Sequence, residues 1–100
     1  MSGAPARNKT PIAAFPPDVR WIVEEWGIRV FHVEKGQILS LEYPEAAVWD
    51  LLSRDPREET IVSKLSAILA WPESRSRGLL RSSIRRWLDL EVLRKPRARG

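Results

Sequence analysis

Polar and apolar residues alternate in three short stretches of the first half of the chain. The stretches are Val19–Glu24, 28–34 and Gln37–Glu42, and a Lys35-Gly36 pair separates the last two. A period of two is typical of a strand with one buried face, and glycine in a short connection is typical of a hairpin turn. The pattern therefore predicts three antiparallel strands that follow one another as a meander.

A two-residue loop at positions 35 and 36 predicts the register of the second hairpin. Val30 then pairs with Leu41, and Arg29 pairs with Glu42 as an opposite-charge pair that supports this register. The side chains expected on the core face of the sheet are those of Ile28, Val30, His32, Leu39 and Leu41.

Apolar residues at helical spacing predict three helices in the second half of the chain. The first covers 44–52, and the second begins at Asp55-Pro56, where an acidic cap precedes a proline in the first turn. The third begins near Ser74 or Ser76, either of which can cap it. The side chains expected to be buried are Ile61, Val62, Leu65, Ile68 and Leu69 in the second helix and Leu80, Ile84, Trp87 and Leu88 in the third.

The order of these elements predicts the fold class. A three-stranded antiparallel β-meander followed by three α-helices is an α+β fold, with the helices packed on one face of the sheet. With the strands paired in sequence order, the third strand lies at an edge. Because unpaired backbone groups at an edge can pair with an added strand, we expect this strand to carry the function.

The composition indicates one small domain in a reducing compartment. One hundred residues with 43% hydrophobic content suffice for a single core. The chain has no cysteine, which excludes disulfides and thiolate chemistry and fits a cytoplasmic location. The first residues contain no apolar run long enough for a signal peptide or a membrane span. We expect a flexible arm over 1–14, a folded domain over 15–93 and a basic tail over 94–100.

The excess of basic residues lies at the two ends of the chain. The formal net charge is +4, but Arg7, Lys9 and four residues of the tail account for more than this excess. The domain between them holds eleven basic and thirteen acidic residues, with the acidic residues concentrated before Glu59 and the basic ones after it. The charge of the folded part therefore does not favour a nucleic acid as the ligand.

The polar residues do not form a recognisable catalytic or metal site. His32 is the sole histidine, the acidic pairs Glu24-Glu25 and Glu58-Glu59 are adjacent in sequence, and the five glycines are scattered. Nucleophile activation and metal binding need convergent partners, and a phosphate loop needs clustered glycines. We therefore expect no catalytic residue, no metal and no cofactor.

Several segments resemble a known family. LSLEYPEAAVWDLL is similar to its strand-to-helix unit, DPREETIVSKLSAIL to its second helix, and Ile84, Trp87 and Glu91-Val92-Leu93 to its closing helix. This is the PqqD-like family of RiPP recognition elements, and the resemblance covers most of the predicted domain. The chain departs from the usual family pattern at Tyr43-Pro44, Pro56 and Glu91.

The resemblance implies a winged-helix-like domain without catalysis that binds the leader region of a ribosomally synthesised precursor peptide. In that family the leader adds as an antiparallel strand to the third strand, in a cleft bounded by the third helix. The expected peptide-binding residues are Gln37, Ile38, Leu39, Ser40 and Leu41 in the strand and Arg77, Leu80, Arg81, Ile84 and Arg85 in the helix. The resemblance also implies a peptide-modifying partner, such as a radical-SAM enzyme or a leader peptidase, and no membrane.

The third helix carries a row of arginines with two possible functions. Arg77, Arg81 and Arg85 are spaced by four and form one ridge, which we hypothesise to pair with acidic residues of the leader. A basic last helix with a basic tail is also the outline of a winged helix-turn-helix, so DNA binding is the alternative function. Against that alternative stand the net negative domain and a hairpin tip that carries Lys35 alone.

Overall fold

In the computed structural model, which describes residues 10–96, three strands precede three helices. The strands are β1 (Val19–Glu24), β2 (Gly27–His32) and β3 (Gln37–Glu42), and the helices are α1 (Glu45–Arg54), α2 (Glu58–Leu69) and α3 (Glu73–Asp89). The strands form one antiparallel sheet in the order β1-β2-β3, which leaves β3 at an edge. The predicted α+β fold and strand order are confirmed.

The hairpin between β2 and β3 has a longer loop than we expected. Val30 pairs with Leu39 rather than with Leu41, so the predicted register was wrong by two residues. The Gly36 N–H donates to the His32 carbonyl at 2.9 Å, and Gly36 has a φ of 66°, which glycine adopts without steric cost. Because side chains alternate with a period of two, a shift of two residues keeps every side chain on its predicted face.

The predicted Arg29–Glu42 pair is absent in the corrected register. The Arg29 guanidinium instead lies 3.4 Å from the Glu24 carboxylate. Glu42 lies opposite Gly27. A Cβ atom added to Gly27 would lie 2.0 Å from the Leu41 carbonyl oxygen. Since no side chain fits at that distance, only glycine allows β2 and β3 to approach at this end of the sheet.

Aromatic rings fill the centre of the core between the sheet and the helices. The Trp49 ring of α1 packs edge-to-face against Trp87 of α3 and Trp21 of β1, with ring centroids 5.1 and 5.5 Å apart. Phe15, in the segment before β1, lies 5.1 Å from Trp49. Edge-to-face packing of large apolar rings thus joins four parts of the chain.

The loop between α1 and α2 differs from the predicted capping arrangement. α2 begins at Glu58, and Asp55 is the C-cap residue of α1 rather than the N-cap of α2. Arg57 Nε donates to the Asp55 carboxylate at 2.7 Å, and this hydrogen bond lowers the pKa of Asp55 below its ordinary value. Asp55 is therefore engaged by Arg57, and Arg57 rather than Asp55 is the N-cap of α2.

α3 begins earlier than predicted and also lacks a side-chain cap. Its first residue is Glu73, and Ser76 is buried, with its Oγ 3.2 Å from the Ser66 Oγ of α2.

The predicted buried face of α2 is wrong at one position. Ile68 lies at the edge of the apolar stripe in the last turn and is 52% exposed. Within residues 10–96, no helix combines the length and apolar character that crossing a membrane requires.

The chain before β1 packs on the helical side of the molecule. The Ile12 N–H donates to the Pro56 carbonyl at 2.8 Å, and Ala14 and Arg94 exchange two backbone hydrogen bonds of 2.8 and 3.0 Å. Ala13 is buried between these contacts. Residues 12–14, which we expected in a flexible arm, therefore belong to the folded body, and residues 1–9 and 97–100 lie outside the described part of the chain.

Candidate functional site

β3 offers one free edge. It pairs with β2 along one side, and no strand lies along its other side within residues 10–96. Backbone N–H and C=O groups of alternate residues point toward such an edge, where they are available to a strand from another chain. No proline interrupts Gln37–Glu42, so the whole strand can donate and accept hydrogen bonds.

The side chains of β3 differ between the two faces of the sheet. Ile38 and Ser40 project from the outer face and are exposed, Ile38 by 63%. Leu39 is half-buried and Leu41 fully buried on the face toward the helices. Gln37, at the start of the strand, is half-buried. The five predicted strand residues therefore lie together along the free edge, with apolar groups on both sides of it.

Two ion pairs connect the segments on either side of β3 to the end of α3. Lys35, in the turn before β3, contacts the carboxylate of Glu91, two residues after the end of α3. Arg86 donates to both carboxylate oxygens of Glu45, the first residue of α1, at 3.1 and 3.3 Å. These contacts join the end of α3 to the turn before β3 and to the start of α1.

One flank of α3 therefore faces the β3 side of the molecule. Leu79 and Leu90 lie seven residues before and four residues after Arg86, so they share its face of the helix, and both are half-buried. Five residues of an α-helix turn by about 140° beyond one full turn, so this face points away from Arg81. We call the face of Leu79, Arg86 and Leu90 the β3 flank.

The predicted arginine ridge lies on the other side of α3, against α2. Arg77 Nη1 lies 2.7 Å from a Glu58 carboxylate oxygen and 2.9 Å from one of Glu59, and Arg81 Nη2 lies 3.0 Å from Glu58. The hydrogen bonds that Arg77 donates to Glu59 and Glu58 raise its pKa above the ordinary value. Arg85 is exposed and has no ion pair within the described residues. We call the face of Arg77, Arg81 and Arg85 the α2 flank.

The two remaining helix residues of the predicted site differ in exposure. Leu80 has 0% exposed surface and belongs to the core between the two flanks. Ile84 is half-buried and lines a groove of about 310 Å³ between α3 and the N-terminal segment. The residues lining this groove are Ile12, Glu58, Arg81, Ile84, Arg85 and Leu88. The structure thus brings Arg81, Ile84 and Arg85 together, but in a groove beside Ile12.

The geometry adds the three residues of the β3 flank to the candidate site. Sequence reasoning did not select Leu79, Arg86 or Leu90. Arg86 is out of phase with the ridge of Arg77, Arg81 and Arg85 and in phase with Leu79 and Leu90. That phase was visible in the sequence. Its partner Glu45, 41 residues earlier, was not, because no local pattern indicates that the start of α1 approaches the end of α3.

Comparison with known proteins identifies the fold. No family model matches the chain, and no curated protein matches it. A solved structure described as TbiB1 in complex with the TbiA(beta) leader peptide superposes with a TM-score of 0.77 at 20% sequence identity, over 85% of this chain and 99% of the TbiB1 chain. The chain therefore has the fold of TbiB1, a protein whose structure contains a bound leader peptide.

Proposed function

We propose that this chain binds the leader region of a ribosomally synthesised precursor peptide as an additional strand on β3. The free β3 edge, in a fold shared with leader-bound TbiB1, is the observation that carries the proposal. Backbone pairing gives affinity with little demand on sequence, and side-chain contacts beside the edge add selectivity. The domain performs no chemistry itself and presents the peptide to a separate radical-SAM enzyme or leader peptidase.

On the helix side, the ion pairs favour the β3 flank of α3 as the surface that meets the guest peptide. Arg86 can exchange its partly exposed Glu45 partner for an acidic residue of the leader and can bind that carboxylate through two N–H groups. Arg77 and Arg81 would have to leave the Glu58 carboxylate that they share. The hypothesis that the arginine ridge binds the leader stays a prediction, and Arg85 is its unpaired member.

The antiparallel direction of the guest determines where its two ends lie. A strand antiparallel to β3 places its C-terminal part beside Gln37 and the Lys35-Gly36 turn, and its N-terminal part beside Glu42. The residues to be modified follow the leader in a precursor. In this proposal they leave the domain at the Lys35-Gly36 turn.

Amide hydrogen exchange tests the strand-addition proposal directly. Adding the leader of the precursor encoded beside this chain should slow exchange at alternate residues of Gln37–Glu42, because their N–H groups become hydrogen-bonded. The outer edge of β1 provides a control in the same sheet, and its outward-facing amides at Trp21 and Val23 should not change. Equal protection of both edges, or of neither, would contradict the proposal.

Salt dependence separates this proposal from the DNA-binding alternative. Three arginines of α3 form ion pairs, with Glu58, Glu59 or Glu45. Arg75 lies 3.8 Å from the Trp71 ring centroid. Leader binding through backbone hydrogen bonds should survive an increase from about 50 to 200 mM salt, whereas binding to phosphates would fall by orders of magnitude.

A further inference from the structure

A second apolar surface lies at the end of the sheet opposite the Lys35-Gly36 turn. Val23 of β1, Trp26 of the β1–β2 turn and Tyr43 after β3 are exposed by 68%, 40% and 64%. With Ala46 and Ala47 of α1 they line one groove of about 390 Å³. Large apolar side chains that share an exposed groove mark an interaction surface.

The aromatic part of this surface is held in position within the molecule. The Arg29 guanidinium carbon lies 5.4 Å from the Trp26 ring centroid, and the same guanidinium lies 3.4 Å from the Glu24 carboxylate. An ordered tryptophan loses little conformational entropy when a partner covers it. Tryptophan and tyrosine are also the residues that most often dominate the energy of protein interfaces.

The unpaired charges around the groove are negative. Two ion pairs, of 3.4 and 3.1 Å, neutralise Glu24 and Asp50. Glu25 on the rim of the groove, and Glu42 directly before Tyr43, have no ion-pair partner among residues 10–96. The surface therefore complements an apolar anchor flanked by basic residues.

We propose that Val23, Trp26 and Tyr43, with Glu25 and Glu42, form a docking surface for the modifying enzyme, which contributes a basic segment with an aliphatic or aromatic anchor. This inference rests on the proposed function in assigning such an enzyme as the partner. Trp26 and Val23 lie on the side of the sheet away from the β3 edge. The enzyme can therefore contact Trp26 and Val23 while the leader occupies the β3 edge.

A second copy of this chain is a poorer occupant of the surface. A two-fold symmetric contact would bring the carboxylates of Glu25 and Glu42 near those of the other copy, and like charges oppose such a contact. If the groove of one copy instead contacted Arg85 of another copy, the two copies would use different surfaces. Such head-to-tail contacts form open chains unless their rotation closes a ring.

The experiment measures binding of the full chain to the modifying enzyme encoded beside its gene, with and without saturating leader. Trp26→Ala should weaken enzyme binding by about tenfold or more, as for a central aromatic anchor. Glu25→Lys should weaken it by about three- to tenfold, with a smaller loss at high salt. Ile68→Ala removes an exposed apolar side chain on α2 and should change nothing. Leader affinity should be unchanged in all three variants.

Several outcomes would overturn the docking proposal. It fails when both groove variants bind the enzyme as the wild type does, or when the wild type binds leader but not enzyme. Loss of leader binding in Trp26→Ala would assign the groove to the guest peptide. Self-association in sedimentation velocity that this variant abolishes would assign it to a second copy. A Trp26-dependent enzyme complex without leader binding would retain the docking surface and refute the proposed function instead.

Discussion

The two flanks of α3 use their arginines in different ways. On the α2 flank, Arg77 and Arg81 both pair with Glu58, and Arg77 also pairs with Glu59, so that four charged groups form a network on the surface between α2 and α3. On the β3 flank, Arg86 has one partly exposed partner and two half-buried leucines on the same face of the helix. The same residue type in one helix thus belongs to an ion-pair network with α2 on one side and has a single partner on the other.

Helical spacing therefore groups arginines but does not identify their partners. Arg77, Arg81 and Arg85 are neighbours because residues four apart share a face. Whether that face meets a ligand or another helix depends on how α2 crosses α3, which involves residues about twenty positions away. The predictions below test whether the flanks are as distinct as the contacts indicate.

The largest effect is expected at Leu80, which separates the two flanks inside the core. Leu80→Ala should lower the free energy of unfolding by about 2–5 kcal/mol, because it leaves a cavity beside fully buried neighbours. Urea denaturation followed by tryptophan fluorescence measures this loss. The folded variant should bind leader normally. Native stability combined with lost leader binding would show that Leu80 contacts the guest instead.

The next largest effect separates two adjacent arginines. Arg86→Glu should weaken leader binding by about tenfold, since a charge-assisted hydrogen bond is replaced by repulsion, while Arg85→Glu should change it less than twofold. Titration calorimetry with the leader measures both. The double variant Arg86→Glu with Glu45→Arg keeps the internal ion pair and should remain weak. Reversed effects at the two positions would support the arginine ridge as the binding surface.

A smaller effect is expected on the α2 flank. Arg77→Ala should lower the free energy of unfolding by about 1 kcal/mol, because it removes a bidentate contact with two carboxylates that is only partly exposed to solvent. The loss should shrink at high salt. Arg85→Ala is the matched control and should change stability by less than about 0.5 kcal/mol. A weaker leader complex in Arg77→Ala would contradict the assignment of this flank to the structure.

The smallest effect concerns the loop that leads into α2. The Arg57 hydrogen bond lowers the pKa of Asp55 in the folded state below the ordinary 3.8, so the carboxylate stabilises the fold above that pH and ceases to do so as the pH falls. The wild-type Tm should therefore decrease slightly below about pH 4 through this group. Asp55→Asn should remove that part of the dependence. Identical pH profiles of both proteins would contradict the prediction.

The sheet was predictable from the sequence because its main signal is the alternation of side chains. The loop around Lys35-Gly36 was predicted two residues too short, yet the predicted core face was correct. A register shift of two residues leaves each side chain on the same face of the sheet. The Arg29–Glu42 pair, by contrast, depended on the precise register and was lost. Periodicity therefore predicts which side of the sheet is buried, but local charge pairing does not set the length of a turn.

Helix termini and helix surroundings were less predictable. Asp55 and Ser76 have the chemistry of N-caps, but tertiary contacts engage the first with Arg57 and bury the second against Ser66. The strand half of the candidate site follows from β3 being last in the meander. The helix half depends on the packing of α3 against two other elements, and Leu80 shows that a residue at the right spacing can be wholly inaccessible.

The reciprocal hydrogen bonds between Ala14 and Arg94 bring the incoming and outgoing polypeptide to one place on the surface. A domain whose chain ends lie side by side can be inserted into an exposed loop of a larger protein without separating the two parts of that protein. It can equally be circularly permuted, with a short peptide joining the old ends and new ones opened at an exposed loop. The same module is thereby suited to exist as a separate protein or as an inserted domain of a larger one.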